Sequence, residues 1–387
     1  MEHKHRKSYK YQAWTRDLHR ILCMQGGEDD RSYAKNSEGP ASAVALSKPL
    51  LIEAINSMKL FTSETSIRIA DLGCATGYNT LSTMDLIVET LRQRYERECN
   101  NNVPEFEAFF SDLPSNDFNS LFRSLVPSLD SIHRPYFTAG VPGSFYKRLF
   151  PKVKLHLAVS LSALHWLSQI PEEVLDKQSP AWNRGRAWID GAEKAAVDAY
   201  SKQSGEDLEA FLRCRKEEIA EGGMLFLLMA GRPGSEQPEN QLGDPDSRAK
   251  HPFTSSMDQA WEDLLNEGLI DEDTRDTFNI PAYMRSMEEV RKAFDECDGF
   301  EIKKLEFQRI VEHSKEKHEE WIRDPASYGR CRANLLRATL KPIVEAHLGQ
   351  LLSEELFKRF EKRVSEDINM LHKTCFYGVI VVCAIRK

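Results

Sequence analysis

Ile67-Arg68-Ile69-Ala70-Asp71-Leu72-Gly73-Cys74-Ala75-Thr76-Gly77 is the stretch that decides the fold. It opens as a short apolar run, the pattern of a parallel strand buried on both faces. It then breaks into a turn with small residues at Gly73, Ala75 and Gly77. A long helical pattern follows from Asn79. Small residues at the carboxyl end of a strand let backbone approach a ligand closely, and open α/β sheets bind their ligands there. The dinucleotide fingerprint Gly-x-Gly-x-x-Gly is not met, because Tyr78 stands where its last small residue belongs.

Outward from this stretch, further strands are expected at Phe106–Ser111, Tyr136–Val141, Val153–Ser160, Met224–Ala230, Phe300–Phe307 and Phe376–Ile385. Helices are expected at Leu81–Arg97, Asp190–Ile219, Met287–Asp295 and Leu351–Leu371. Strands alternating with helices predict an α/β fold with a doubly wound, mostly parallel, seven-stranded sheet. Two stretches have no place in such a sheet. Arg232–Arg285 begins as a Gly/Pro/Asp-rich loop and turns helical near Met257–Glu267, and Glu312–Gln350 is helical insertion. Both read as a helical cap over the ligand edge of the sheet, giving a second, mostly apolar pocket. The expected division is a basic tail over 1–20 and one domain over 21–387, its cap drawn from about 166–190, 232–285 and 312–350.

The chain has 387 residues, 41% of them hydrophobic, and a formal net charge of −8. The negative balance argues against a nucleic-acid partner. No run reaches the roughly 20 apolar residues of a membrane helix, so no membrane partner is expected. Eight cysteines are scattered without ligand spacing and read as reduced thiols of a cytoplasmic protein. A transit peptide is disfavoured because serine is sparse near the start.

Seven segments in order carry a more specific signal. They are Met24-Gln25-Gly26-Gly27, Ser32-Tyr33-Ala34-Lys35-Asn36-Ser37, Asp71–Gly77, Ser111–Asn119, Gly140–Tyr146, His165-Trp166-Leu167-Ser168 and Phe278-Asn279-Ile280-Pro281. Together they resemble the plant SABATH methyltransferases, which transfer methyl from S-adenosylmethionine to small carboxylic acids and, in some members, to xanthine nitrogens. The resemblance runs from about Ile21 to the C-terminus and implies the class I methyltransferase version of the doubly wound fold.

For the cofactor, Asp71 ends a strand and can hold an ammonium, with backbone at Gly73 and Cys74 against the ligand. Asp112 ends the next strand and can accept both ribose hydroxyls, as an acidic residue does in dinucleotide folds. It lies 39 residues beyond Gly73, against about 20 in those folds, which fits a long first helix. Asp112 also reads as a helix N-cap ahead of Leu113-Pro114, and the two roles are compatible. Leu113 would flank the adenine, with Ser144 and the Phe145 ring bracketing it. The resemblance adds Tyr33, Ser37 and Asn79 to this site.

For the acceptor, the resemblance implies contact with His165 and Trp166. Taken alone, His165 reads more often as a satisfied structural histidine and Trp166 more often as core. The Trp indole N–H and a His ring N–H can both donate to a carboxylate. By position, Tyr33, Gln25, Ser162, Phe253, Thr254, Tyr283, Leu336, Thr339 and Tyr377 would complete the wall. Two positions depart from the family. Gln25 stands where salicylate-type members carry lysine, and Pro40 where many carry glutamine. Ser162 replaces a residue that is often aromatic and enlarges the pocket. A small aromatic acid (a cinnamate, coumarate, benzoate or salicylate) is the expected substrate. Indole-3-acetate or jasmonate, a xanthine, and a non-catalytic cofactor-binding role are the alternatives.

The expected reaction is a direct displacement at the sulfonium methyl. A carboxylic acid with a pKa of about 4 is ionised at neutral pH and needs no general base. Positioning would then dominate, an effect worth roughly 7–11 kcal/mol at best. His165 and Trp166 are assigned to orientation, and His165 becomes a base only for an acceptor that must lose a proton. The resemblance also implies a magnesium site of structural role, from Asn183, Asp276, the Phe278 carbonyl and Asn279, all hard oxygen donors. The residues alone read equally as a turn at Asn183 and a helix-end charge at Asp276. Gln25–Pro40 is expected to form a lid whose motion limits turnover, and the resemblance implies a homodimer.

Overall fold

The run Ser66–Leu72 forms strand β1, and every residue of it but Arg68 is buried. Such a strand must have neighbours on both edges and helices on both faces. In the computed structural model, which describes residues 18–125, 134–242, 252–311, 314–367 and 376–387, β1 lies between β2 (Glu105–Asp112) and β4 (Leu155–Leu161), parallel to both. The other strands are β3 (Phe137–Pro142), β5 (Ile219–Arg232), the two-residue β6 (Arg285–Ser286), β7 (Phe300–Val311) and β8 (Phe376–Arg386). Their order is β3-β2-β1-β4-β5-β8-β7, with β6 pairing to β5. Strand β8 runs antiparallel to both its neighbours. The chain winds one way from β1 to β3 and the other from β4 to β5. The reversal opens a crevice at the carboxyl ends of β1 and β4, the place where doubly wound sheets hold ligands.

The helices are α1 (Leu18–Ile21), α2 (Glu38–Ser57), α3 (Tyr78–Glu98), α4 (Phe118–Leu125), α5 (Lys194–Glu218), α6 (Pro252–Asn266), α7 (Glu272–Asp276), α8 (Met287–Cys297), α9 (Lys315–Arg323), α10 (Pro325–Leu348) and α11 (Gln350–Glu366). One apolar core packs α2 and α3 on the sheet, through Ile55, Ile87 and Leu91 against Ile69, Phe110 and Phe226. A second packs α5 and α8 on the other face, through Phe211, Leu212 and Phe294. A third joins α1, α6, α10 and α11 through Leu18, Trp261, Leu336, Phe357 and Phe360.

The seven predicted strands and four predicted helices are all present, with shifted ends. Val153 takes a positive φ of 58°, so the strand expected from Val153 starts at Leu155. Strand β5 starts at Ile219, earlier than expected, because the chain passes through Gly222-Gly223 with a register irregularity and still pairs with β4. Helix α2 was not expected; Gly39, Pro40 and Pro49 punctuate its sequence, although a proline is at home in a first helical turn. Glu38–Pro40, the end of the segment expected to form a lid, are therefore the first turn of this helix. Of the expected basic tail, residues 1–17 lie outside the described residues, and Leu18 is a buried member of the third core. The end of the predicted helix at Leu371 also lies outside them. No helix among the described residues is long and apolar enough to cross a membrane. The seven described cysteines are free thiols.

Candidate active site

Four loops at the carboxyl ends of β1 to β4 surround one cavity, which α1 and the Met24–Pro40 region close from above. Hydrogen bonds between the loops fix their spacing. Gly73 N and Cys74 N donate to the Ser111 carbonyl at 2.8 and 3.1 Å, Gly143 N donates to the Asp112 carbonyl at 2.8 Å, and Asn116 Nδ2 donates to the Ala75 carbonyl at 3.1 Å. Gly73 adopts φ +83°, and a Cβ there would stand 2.4 Å from that of Ala163. Only glycine lets the β1 and β4 loops come this close.

Two carboxylates face this half of the cavity. Asp71 is 2% exposed; the Thr80 hydroxyl donates to its Oδ2, while its Oδ1 has no partner. Burial pushes its carboxyl up to about 7, helped by the charge of Asp112 and opposed by Thr80. Asp112 accepts from Ala75 N and Leu113 N at 2.7 Å each. Burial pushes it up to about 6 against those two amides. A pair of desolvated carboxylates, one with a vacant buried oxygen, suits a ligand that brings an ammonium and a diol. Tyr33, Cys74, Asn79, Leu113, Ser144 and Phe145 line the same cavity. Ser37 stands one contact behind, with Asn79 Nδ2 at 3.4 Å from its hydroxyl. The loop of Ser144 and Phe145 is held by a fully buried pair at the end of α5. Arg215 donates to the Phe145 and Lys147 carbonyls at 2.9 and 3.0 Å. Glu218 accepts from Leu149 N and Phe150 N at 2.6 and 3.1 Å.

The β4 loop supplies the other half. Ser162 lines it in a left-handed conformation, φ +60°, a strain that persists only where surroundings impose it. The rings of His165 and Trp166 lie 5.3 Å apart. His165 Nδ1 is buried without a partner, and burial, with the charge of Arg285, pushes the imidazole down to about 4. The ring is thus neutral at physiological pH. Thr339 also lines the cavity, though its hydroxyl is spent on the Leu335 and Leu336 carbonyls at 3.0 and 3.2 Å.

Several expected wall residues are placed elsewhere. Gln25 is tied through its backbone to Ala338 and Tyr33, and Met24 takes the place in the lining. Thr254 and Leu336 are buried away from the cavity. Tyr283 donates to Glu289 at 2.7 Å and accepts from Arg232 at 2.8 Å, in a network behind the wall. Helix α6 and strand β8 carry Phe253 and Tyr377, whose side chains lie outside the described residues. Pro40, read only as a departure, does line the cavity, as do Thr76, Tyr146 and Ala230, which sequence reasoning missed.

The proposed magnesium ligands come together but satisfy one another. Asn183 Nδ2 donates to Asn279 Oδ1 at 2.7 Å, the oxygen that would have to coordinate. Asp276 Oδ1 accepts from Gly185 N and from Arg275 Nε, both at 3.0 Å. With Arg275 already neutralising the carboxylate, this set does not fit a divalent cation as it stands. Among the described residues no group of three or more His, Cys, Asp or Glu side chains could hold a metal.

A doubly wound sheet, a glycine turn after β1, and acidic residues ending β1 and β2 make a nucleotide-type ligand site, and the antiparallel β8 between β5 and β7 fits the class I S-adenosylmethionine-dependent methyltransferase fold expected from the sequence. A family model described as SAM-dependent carboxyl methyltransferase matches residues 19–387, and the chain belongs to that family, the SABATH enzymes of plants. Gibberellic acid methyltransferase 2 of Arabidopsis thaliana is 59% identical over 375 residues, covering 96% of each chain. Gibberellic acid methyltransferase 1 of the same plant is 56% identical, over 96% of this chain and 99% of that one. A solved structure of loganic acid methyltransferase with S-adenosylhomocysteine (SAH) superposes with a TM-score of 0.81 at 33% identity, covering 94% and 98% of the two chains. The protein is an S-adenosylmethionine-dependent carboxyl methyltransferase.

Proposed function

We propose that this enzyme methylates the carboxylate of a gibberellin, a rigid polycyclic acid. The observation that carries the reading is the 59% and 56% identity, along nearly the whole chain, to two enzymes named for gibberellic acid. The lining agrees with it. Gly39, Ser162, Ala163 and Ala230 are small, and small walls suit a bulky polycyclic acid better than the flat aromatic acid expected from the sequence.

S-adenosylmethionine, when bound, supplies an electrophilic methyl on a sulfonium. Asp71 would hold its ammonium and Asp112 its ribose hydroxyls, with Leu113, Ser144 and Phe145 about the base. The residues of the β4 loop do the rest. His165 and the Trp166 indole donate to the acid and aim one carboxylate oxygen. Neither takes a proton, because an imidazole pushed down to about 4 is a weak base and a carboxylic acid is already ionised. An acceptor that must be deprotonated, such as a xanthine nitrogen, is poorly served. Met24, Leu18 and Leu22 close the cavity with apolar surface and keep water from the reacting pair.

The test is labelled methyl transfer to gibberellic acid, cinnamate, salicylate and indole-3-acetate. A base-labile ester formed preferentially from gibberellic acid is expected. Preference for cinnamate or salicylate would return the reading to an aromatic acid.

A further inference from the structure

We infer that Arg285 is a positioning residue for the acceptor: from behind the cavity wall it fixes the turn that carries His165 and Trp166 and supplies the positive charge that the substrate carboxylate faces. The inference rests on the reading that this carboxylate docks at His165 and Trp166.

Three consecutive carbonyls of the turn are each held from behind. The Arg285 guanidinium donates to the Leu164 carbonyl. Tyr283 N donates to the His165 carbonyl at 2.9 Å. The Tyr146 hydroxyl donates to the Trp166 carbonyl at 2.5 Å. With the backbone oxygens so anchored, the turn has one conformation in which to present its side chains. Arg285 is itself fixed, since its second nitrogen donates to the Ser204 carbonyl in α5 at 2.8 Å and its backbone pairs with Gly231 in β6–β5.

Arg285 is 1% exposed, and among the described residues no carboxylate forms an ion pair with it. Asp207 is near enough for the two charges to interact, but its oxygens accept from Ser168 N at 2.8 Å, the Ser168 hydroxyl at 2.6 Å and Gln203 Nε2 at 3.0 Å and not from the guanidinium. A buried cation without an ion-pair partner is costly unless something anionic is brought near it. Asp207 supplies part of that charge from one side, and the substrate carboxylate would supply the rest from the cavity. Because Arg285 reaches it only across the turn, the charge attracts the acid without forming the direct ion pair that would blunt its oxygen.

The test compares Arg285→Lys, Arg285→Gln and Tyr146→Phe with the parent enzyme, on whichever carboxylic acid the parent esterifies best. SAH affinity serves as the check on folding. Arg285→Gln is expected to lower kcat/KM for the acid about 100-fold, with KM raised, as loss of a buried charged partner does. Arg285→Lys keeps the charge but not the fork, so kcat should fall about tenfold with KM little changed. Tyr146→Phe loses one hydrogen bond and should cost about threefold in kcat. In Arg285→Gln the His165 imidazole should titrate higher than in the parent by NMR. Variants that bind SAH normally and turn over at the parental rate would overturn the inference. So would a loss of activity matched by an equal loss of SAH affinity, the sign of a purely structural role. A parent inactive on gibberellins but active on another acid would sink the substrate reading alone.

Discussion

The two halves of the cavity solve opposite problems. The half proposed for the cofactor puts two carboxylates, Asp71 and Asp112, into a desolvated space, where burial pushes both upward. The half proposed for the acceptor puts in neutral donors, His165 and Trp166, with a charge, Arg285, behind the wall. The first half must hold a cationic ligand firmly and can use direct ion pairing. The second must hold an anion that still has to react, and direct pairing there would work against the reaction.

The comparison breaks most visibly at Asp71. Asp71→Asn removes the ligand's counter-charge, and SAH affinity measured by calorimetry should fall about 100-fold or more. The same variant should gain stability in alkali. The folded-state pKa of Asp71 lies above that of the unfolded chain, so its contribution is full in acid and is lost as pH rises through about 7. The thermal midpoint of the variant should exceed that of the parent at pH 8, and the excess should shrink at pH 5 and close only below about pH 4, the ordinary aspartate pKa. A lower midpoint at pH 8 would show that Asp71 is not held at a cost.

His165→Ala sharpens the contrast from the other side. It should lower kcat/KM for the acid about 30-fold, the scale of a lost hydrogen bond to a charged group. SAH affinity should stay within about twofold of the parent. A parallel fall in SAH affinity would mean that the halves are not separate.

The smallest expected effect is in the pH dependence. SAH affinity should rise about tenfold from pH 6 to pH 8 as Asp71 ionises. At saturating cofactor, kcat should be flat over the same range, because His165 is already neutral there. A kcat inflection near 6.5 would show that the imidazole titrates in the enzyme–substrate complex.

That Asp71, Gly73, Cys74 and Asp112 converge on one cavity was legible in the sequence because a continuous turn and the end of the next strand carry them. Asp71, Gly73 and Cys74 sit within four residues, and Asp112 ends the next strand. The acceptor half was legible only at His165-Trp166. Arg215, Glu218 and Arg285 act through carbonyls and amides of loops far away in the chain, and no local pattern marks an arginine that points backwards. Tyr283 was placed in the wall by position, yet its hydroxyl is turned to Arg232 and Glu289. It does serve the site, through its backbone nitrogen. Helix α2 was hidden by prolines that the structure accommodates.

The place of β8 bears on how the protein is made. Among the described residues strand β7 has only β8 as a neighbour in the sheet, and β8 follows it in the chain after two long helices, α10 and α11. On the ribosome, β5 and β7 must both wait with open edges until β8 emerges and slides between them. Until then the apolar stretch Ile219–Arg232, already synthesised, is available to any other extended chain. Synthesis of this enzyme should therefore lean on chaperones late rather than early, with ribosome-bound chains ending before β8 the most prone to aggregate.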